Sequence, residues 1–211
     1  MRKFLLSALV LISTSLSAQT SFKNGLLTYT VTGPNTVQVS AADSKDASDT
    51  PVYDYVIPET VENEGVTYNV TAIGKEAFYW SDLKSITLPE SIESIKSAAF
   101  KSTTNLTSIT LPSNLKYIGD YAFNSSGLTS ITIPASVEEI GSSAFFTCNS
   151  LASVELGSGL KTIGSSAFYK CPFTTIELPE GIKSIPTALF YGCANLNSVK
   201  MAADVDSIGD R

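Results

Sequence analysis

The chain has 211 residues and a formal net charge of −6, from fourteen basic and twenty acidic side chains. That balance argues against nucleic acid or an anionic membrane as partner, because phosphate recognition needs clustered Lys and Arg. Histidine is absent, which removes the usual general base, the commonest metal ligand and the usual pH switch.

In chain order, residues 1–18 read as a secretory signal peptide. Arg2 and Lys3 form a basic start, Phe4 to Leu16 is apolar or hydroxylated, and small Ser17 and Ala18 mark a cleavage point. The apolar run falls short of the ~20 residues a membrane span needs, and no later stretch reaches that length. No cysteine sits at the cleavage point to take a lipid, so the protein is expected to be exported, to the cell surface, the medium or the periplasm. The remainder keeps twelve basic and twenty acidic residues, a net charge of −8. Residues 19–54 are expected to form an N-terminal β-hairpin cap followed by a polar loop. Leu27–Val31 and Val37–Ala41 are its strands, Gly33-Pro34-Asn35 its turn, and Asp43–Thr50 the loop.

From residue 55 to 211 the chain repeats. Phe78, Phe100, Phe123, Phe145, Phe168 and Phe190 recur every 22 or 23 residues, each after a small residue except at Leu189. Five residues before each Phe stands Ile: 73, 95, 118, 140, 163 and 185. Farther upstream lie strand-like segments such as Ile86-Thr87-Leu88-Pro89 and Ile131-Thr132-Ile133-Pro134. The unit is L-x-x-[IV]-x-L-P-x-x-[ILV]-x-x-I-G-x-x-A-F-x-x-[SC], and its one-residue length variation is confined to the loop after the Phe, as expected for a surface loop. A 22-residue unit cannot close a core alone, so about seven coils must stack their apolar columns, the first with an insertion at Glu59–Asn69 and the last incomplete. The period-two segments predict one parallel strand per coil, about 4.8 Å apart. The glycine after the Ile (74, 119, 141, 164, 209) is replaced by Lys96 and Pro186, and proline is locked near φ −65°. Its role is therefore close approach and not left-handed φ.

The L-x-x-I-x-L core is that of a leucine-rich repeat, and the P-x-x-[IL]-x-x-I-G-x-x-A-F-x-x-C continuation resembles the BspA-like (Treponema pallidum-type) leucine-rich repeat proteins of bacterial surfaces, over about Tyr55 to Arg211. The fold class that follows is an α/β repeat: a leucine-rich-repeat solenoid with a parallel β-sheet on the concave face, short turns or 3-10/α turns on the convex face, and a β-hairpin cap. The resemblance implies a secreted or cell-surface adhesin-like module that binds matrix proteins, other cells or glycans.

Leucine-rich repeats bind partners on the concave strip, here Ser85, Thr87, Ser108, Thr110, Ser130, Thr132, Ser153, Glu155, Thr175, Glu177, Ser198 and Lys200. Exposed Ser and Thr are also what any soluble strand carries, and the strip lacks the aromatic and Arg anchors of binding hot spots. Tyr79, Trp80, Phe146, Tyr169 and Tyr191 form an aromatic column on the loops, either a ligand ladder or rings half-buried on one another. Cys148, Cys171 and Cys193 occupy one small-residue column with Ser81, Thr103 and Ser126. Their parallel Cβ vectors suit free buried thiols better than a disulfide, and three thiols on one column cannot surround a metal. Neither metal nor cofactor is expected. Glu138-Glu139 and Asp43, Asp46 and Asp49 read as solvated carboxylates, so no enzymatic mechanism has its residues. The last unit stops before its Ala-Phe, which leaves open a fragment, end-to-end self-association, or a structural module docking to a larger envelope assembly through that end.

Overall fold

The computed structural model describes residues 20–210; the signal-peptide reading of residues 1–18 lies outside them. The described chain opens with three antiparallel strands, β1 (Ser21–Asn24), β2 (Leu27–Gly33) and β3 (Thr36–Ala42). Gly25, at φ +59°, makes the first turn. The loop beyond is ordered by Asp46, whose Oδ1 accepts the N–H groups of Ser48 and Thr50 at 2.8 and 3.1 Å. Strand β4 (Asp54–Val56) begins the first coil. The insertion is a hairpin of β5 (Thr60–Asn63) and β6 (Val66–Ile73), turning through Glu64 and Gly65, both at positive φ as a type I′ turn requires.

Each coil then folds in three segments around one core. Phe78, Phe100, Phe123, Phe145 and Phe168 stack with centroids 5.2–5.3 Å apart and planes within 10°, and all are buried. The Ala before each ring leaves room for the next coil. Where Leu189 replaces it, the Phe168–Phe190 spacing widens to 6.3 Å, Phe190 is only partly buried, and Phe173 packs edge-on to both rings.

The continuous sheet is not the one the alternation pattern predicts. It runs through the Ile-Gly column: β3 pairs parallel with β6, which continues through Ser94–Ile95, Tyr117–Ile118, Glu139–Ile140 and Thr162–Ile163. The cap thus extends the solenoid's own sheet. The glycine N–H groups carry this column onward. Gly119 donates to Ile95 O at 2.8 Å, and Gly141 and Gly164 to the Ile118 and Ile140 carbonyls at 2.7 Å. At Pro186 there is no N–H to give Ile163, and pairing lapses between Thr162–Ile163 and Ser184–Ile185 before resuming to Ser207–Ile208. No glycine of this column has positive φ. A Cβ on Gly164 would stand 2.3 Å from Ser142 N, so close approach is what the glycine serves.

The predicted strip sheet is correspondingly corrected. It is paired only between Asp54–Val56 and Ser85–Thr87, Ser130–Thr132 and Ser153–Glu155, and Thr175–Glu177 and Ser198–Lys200. The strip segment carrying Ser108 and Thr110 forms no strand. Both 22-residue steps, 108 to 130 and 153 to 175, are unpaired; there the loop ahead of the strip is one residue shorter. Proline usually follows the segment (Pro89, Pro112, Pro134, Pro179), which keeps any ladder to about three residues.

Opposite the strip, where short turns or 3-10/α turns are expected, the chain forms turns. No described residue is in an α- or 3-10 helix. In the 98–103 stretch, the N–H groups of Ala98, Phe100 and Ser102 donate to Asp120, Ala122 and Asn124 of the next coil. Those of Ala99, Lys101 and Thr103 close turns onto Lys96, Ala98 and Phe100. A helix would claim every N–H for itself, whereas here alternate ones bind the neighbouring coil. Two residues per coil take left-handed φ to achieve this: Glu76, Ala98, Tyr121, Ser143, Ser166 and Ala188 first, then Trp80, Ser102, Ser125, Thr147, Lys170 and Gly192.

Candidate partner-binding strip

Short strands alternate inward apolar residues with outward polar ones, and that period places the strip. Ile86, Ile131, Val154 and Ile176 are buried, while the side chains either side of them face solvent. All twelve residues expected on the strip are exposed, Ser108 and Thr110 included despite their irregular backbone. Pairing brings Ser130 opposite Ser153, Thr132 opposite Glu155, Thr175 opposite Ser198 and Glu177 opposite Lys200. The contacts are light. Thr132 donates to Glu155 Oε2 at 3.2 Å, and Lys200 Nζ meets Glu177 Oε1 at 2.5 Å. An exposed ion pair of this kind adds little stability.

The strip begins one coil earlier than the sequence reading had it. Asp54 and Val56 pair beside Ser85 and Thr87, with Ser85 Oγ donating to Asp54 Oδ1 at 2.6 Å. The Tyr55-Val56-Ile57-Pro58 match to the repeat carried that signal. At the other end, where pairing lapses between Ser153–Glu155 and Thr175–Glu177, the strip widens into a cleft of about 780 Å³. Glu155, Glu177, Glu180 and Lys200 edge it, with Leu178 and Met201 giving apolar floor. Met201 continues the period-two segment Val199-Lys200-Met201, whereas Glu180 lies outside those segments, so the repeat pattern did not mark it.

The cysteine column has a structural use. The thiols of Cys148, Cys171 and Cys193 donate to the carbonyls of Phe123, Phe145 and Phe168, one coil back, at 3.0, 3.1 and 3.0 Å. All three are free. Burial pushes the Cys148 thiol from an ordinary 9.0 up to about 11, partly offset by hydrogen bonds from Ser126. Cys171 is raised by burial and then by its thiol neighbours, and Cys193 by burial. Among the described residues no group of His, Cys, Asp or Glu is arranged to hold a metal.

On the turn run, Phe146, Tyr169 and Tyr191 stack at 4.3 and 5.1 Å, the first two half-buried. Tyr79, Trp80, Tyr121 and Tyr191 are exposed.

Stacked coils of this length, a parallel ladder through an Ile-Gly column and a buried Phe ladder define a leucine-rich-repeat solenoid. The family model for the BspA-type leucine-rich repeat region matches in six copies, over residues 71–171 and 116–211, and the chain belongs to that family. Among solved structures it is similar to a Treponema pallidum leucine-rich repeat protein, at 29% identity and a TM-score of 0.74 over 87% of this chain and 83% of that one. The pneumococcal vaccine antigen PcpA shares the fold at 24% identity and a TM-score of 0.74, over 89% of this chain and 51% of that one. So does a leucine-rich cell surface protein of Faecalibacterium prausnitzii, at 24% and 0.66, over 89% and 56%. The chain therefore spans little more than half the length of these last two. No curated protein matches it. Among the described residues no helix is long and apolar enough to cross a membrane.

Proposed function

We propose that this chain is an exported bacterial binding module, adhesin-like and not an enzyme, that engages a protein or glycan through its Ser/Thr strip. Export would run through residues 1–18, leaving the module on the cell surface or released. The observation that carries the reading is the strip itself: twelve outward side chains, one pair per coil, leading into a cleft of about 780 Å³ edged by carboxylates and a lysine. Membership of a family whose structural relatives include a cell surface protein supports it. Six coils span roughly 24 Å, a strip too short to supply the ~800 Å² per partner of a standard interface unless loops join, so a weak or multivalent contact is expected.

The test is binding of the purified protein to an array of extracellular-matrix proteins and glycans, beside the Thr110→Arg/Thr132→Arg variant. Saturable binding that the variant loses supports the strip; no binding at any density removes the adhesin role for this chain alone. A second reading, a structural module of a larger envelope assembly, has one observation in its favour. The last described coil leaves Ile208 exposed next to Gly209, which lines an apolar recess of about 360 Å³ with Leu189 and Phe190. Concentration-dependent self-association that disappears in Ile208→Lys would favour it.

A further inference from the structure

The turn run carries aromatic side chains that the fold does not need. Its two left-handed slots hold the small residues Ala, Ser, Thr or Gly in most coils, and the long Glu76 and Lys170 in two others. In two places they hold a large ring instead, Trp80 at φ +56° and Tyr121 at φ +58°. These side chains gain little burial in return: Trp80 is 76% and Tyr121 44% exposed. Every coil takes left-handed φ at these slots, so the backbone is a property of the stack; what sets Trp80 and Tyr121 apart is a large ring left facing solvent.

Two cations stand among the rings. Lys101 Nζ lies 5.7 Å from the Tyr79 ring centre and 5.5 Å from that of Tyr121, and Lys170 Nζ lies 5.5 Å from that of Tyr169. Among the described residues neither lysine is in an ion pair, although the coils on either side of Lys101 carry the carboxylates Glu76 and Asp120. Those are engaged elsewhere: Glu76 with Lys75 at 3.6 Å, and Asp120 Oδ1 with the Ser142 N–H at 2.7 Å. The stripe therefore offers two uncompensated positive charges on a protein of net charge −6.

Its shape is linear and shallow. Tyr79, Lys101, Asn124, Phe146, Tyr169 and Tyr191 take one equivalent position in successive coils, so the column follows the stack for roughly 24 Å, with buried Asn124 as the break where Tyr121 of the same coil is exposed instead. Trp80, Lys101 and Tyr121 line neither the cleft on the strip nor the recess at the last coil, which Tyr191 borders. A protein partner anchors best where a side chain can fill a recess. A sugar ring instead presents a flat C–H face that can lie on an exposed aromatic ring, and a sugar carboxylate would meet the lysines.

We propose that the turn run is a second binding surface, distinct from the Ser/Thr strip, for a linear acidic polysaccharide of the uronic-acid kind. Trp80 is the single tryptophan of the chain, so its emission reports on this surface. The experiment titrates the purified protein with hyaluronan oligosaccharides, with dextran as the neutral control, at low and high salt. Expected are a saturable blue shift with hyaluronan, none with dextran, and weakening as salt rises. Tyr121→Ser and Lys101→Gln should each weaken binding about ten-fold, and Thr110→Arg/Thr132→Arg should leave it unchanged. Trp80→Ser, followed by calorimetry, should lose binding without losing stability, because equivalent slots already hold serine at Ser102 and Ser125. The proposal is overturned by no response to hyaluronan at any concentration, an equal response to dextran, or an unchanged affinity in Tyr121→Ser. Loss of a bound matrix protein in Trp80→Ser, with no polysaccharide bound, would overturn it in favour of a protein partner.

Discussion

At the residue scale, the cysteine column shows how little a residue type says without its surroundings. Three cysteines in a chain read as exported suggest oxidation, yet each thiol is spent on a Phe carbonyl one coil back. Ser126 occupies the same column in the preceding coil, with its Oγ 3.4 Å from Cys148 Sγ. The raised thiol pKa values give a pH dependence of definite sign. A folded-state pKa above the unfolded value means that the native state holds its proton more tightly. That stability is complete below pH 9.0 and is lost as the pH climbs toward about 11 for Cys148. Urea unfolding between pH 8 and 10.5 should show a falling midpoint, and the slope should flatten when all three cysteines are replaced by serine. An identical slope in that variant would show that other groups set the alkaline limit. At pH 8 a thiol reagent should label the half-buried Cys193 well before Cys148 and Cys171.

At the scale of the element, two-residue strands hold together because the Ile-Gly column makes each N–H count. Its glycines combine a carbonyl contact at 2.7–2.8 Å with a close approach to the preceding coil, in a slot where Lys96 makes the same bond to Ile73 O at 2.9 Å. Gly164→Ala places a methyl 2.3 Å from Ser142 N, against backbone that cannot step aside. We expect a loss of about 1–3 kcal/mol, the usual cost of overpacking, measured by urea midpoint. An unchanged midpoint would mean that the coils can separate locally at no cost. The lapse at Pro186 already marks where the ladder is weakest.

At the scale of the whole molecule, stability is a sum over coils and their interfaces. Phe123 lies mid-ladder, fully buried, with parallel rings at 5.2 and 5.3 Å on its two sides. Phe123→Ala should cost about 3–5 kcal/mol. If the Phe ladder couples the coils, unfolding by circular dichroism stays a single transition with a lower midpoint and an unchanged denaturant slope. Two separated transitions would show that the N- and C-terminal coils fold independently across that site. The surface charge is distributed as exposed pairs between coils, such as Lys116–Glu93 at 3.3 Å and Lys161–Glu138 at 2.7 Å, which contribute solubility more than stability.

The repeat, its boundaries at Phe and Ile-Gly, the buried columns and the outward strip were all legible in the sequence. They are consequences of periodicity, and a stack of identical coils reads one coil's pattern many times. The close-approach role of the glycine was legible too, because Pro186 and Lys96 share its slot and exclude a left-handed φ. Which column pairs into a continuous sheet was not. Alternating Ile-x-Leu segments look more strand-like than two residues at Ser-Ile, but the ladder forms where glycine and its N–H let coils approach. The left-handed slots were likewise invisible, since Ala98, Tyr121 and Lys170 carry no local signal for positive φ. They take that conformation because alternate N–H groups must reach the next coil, a demand that exists only once the coils are stacked.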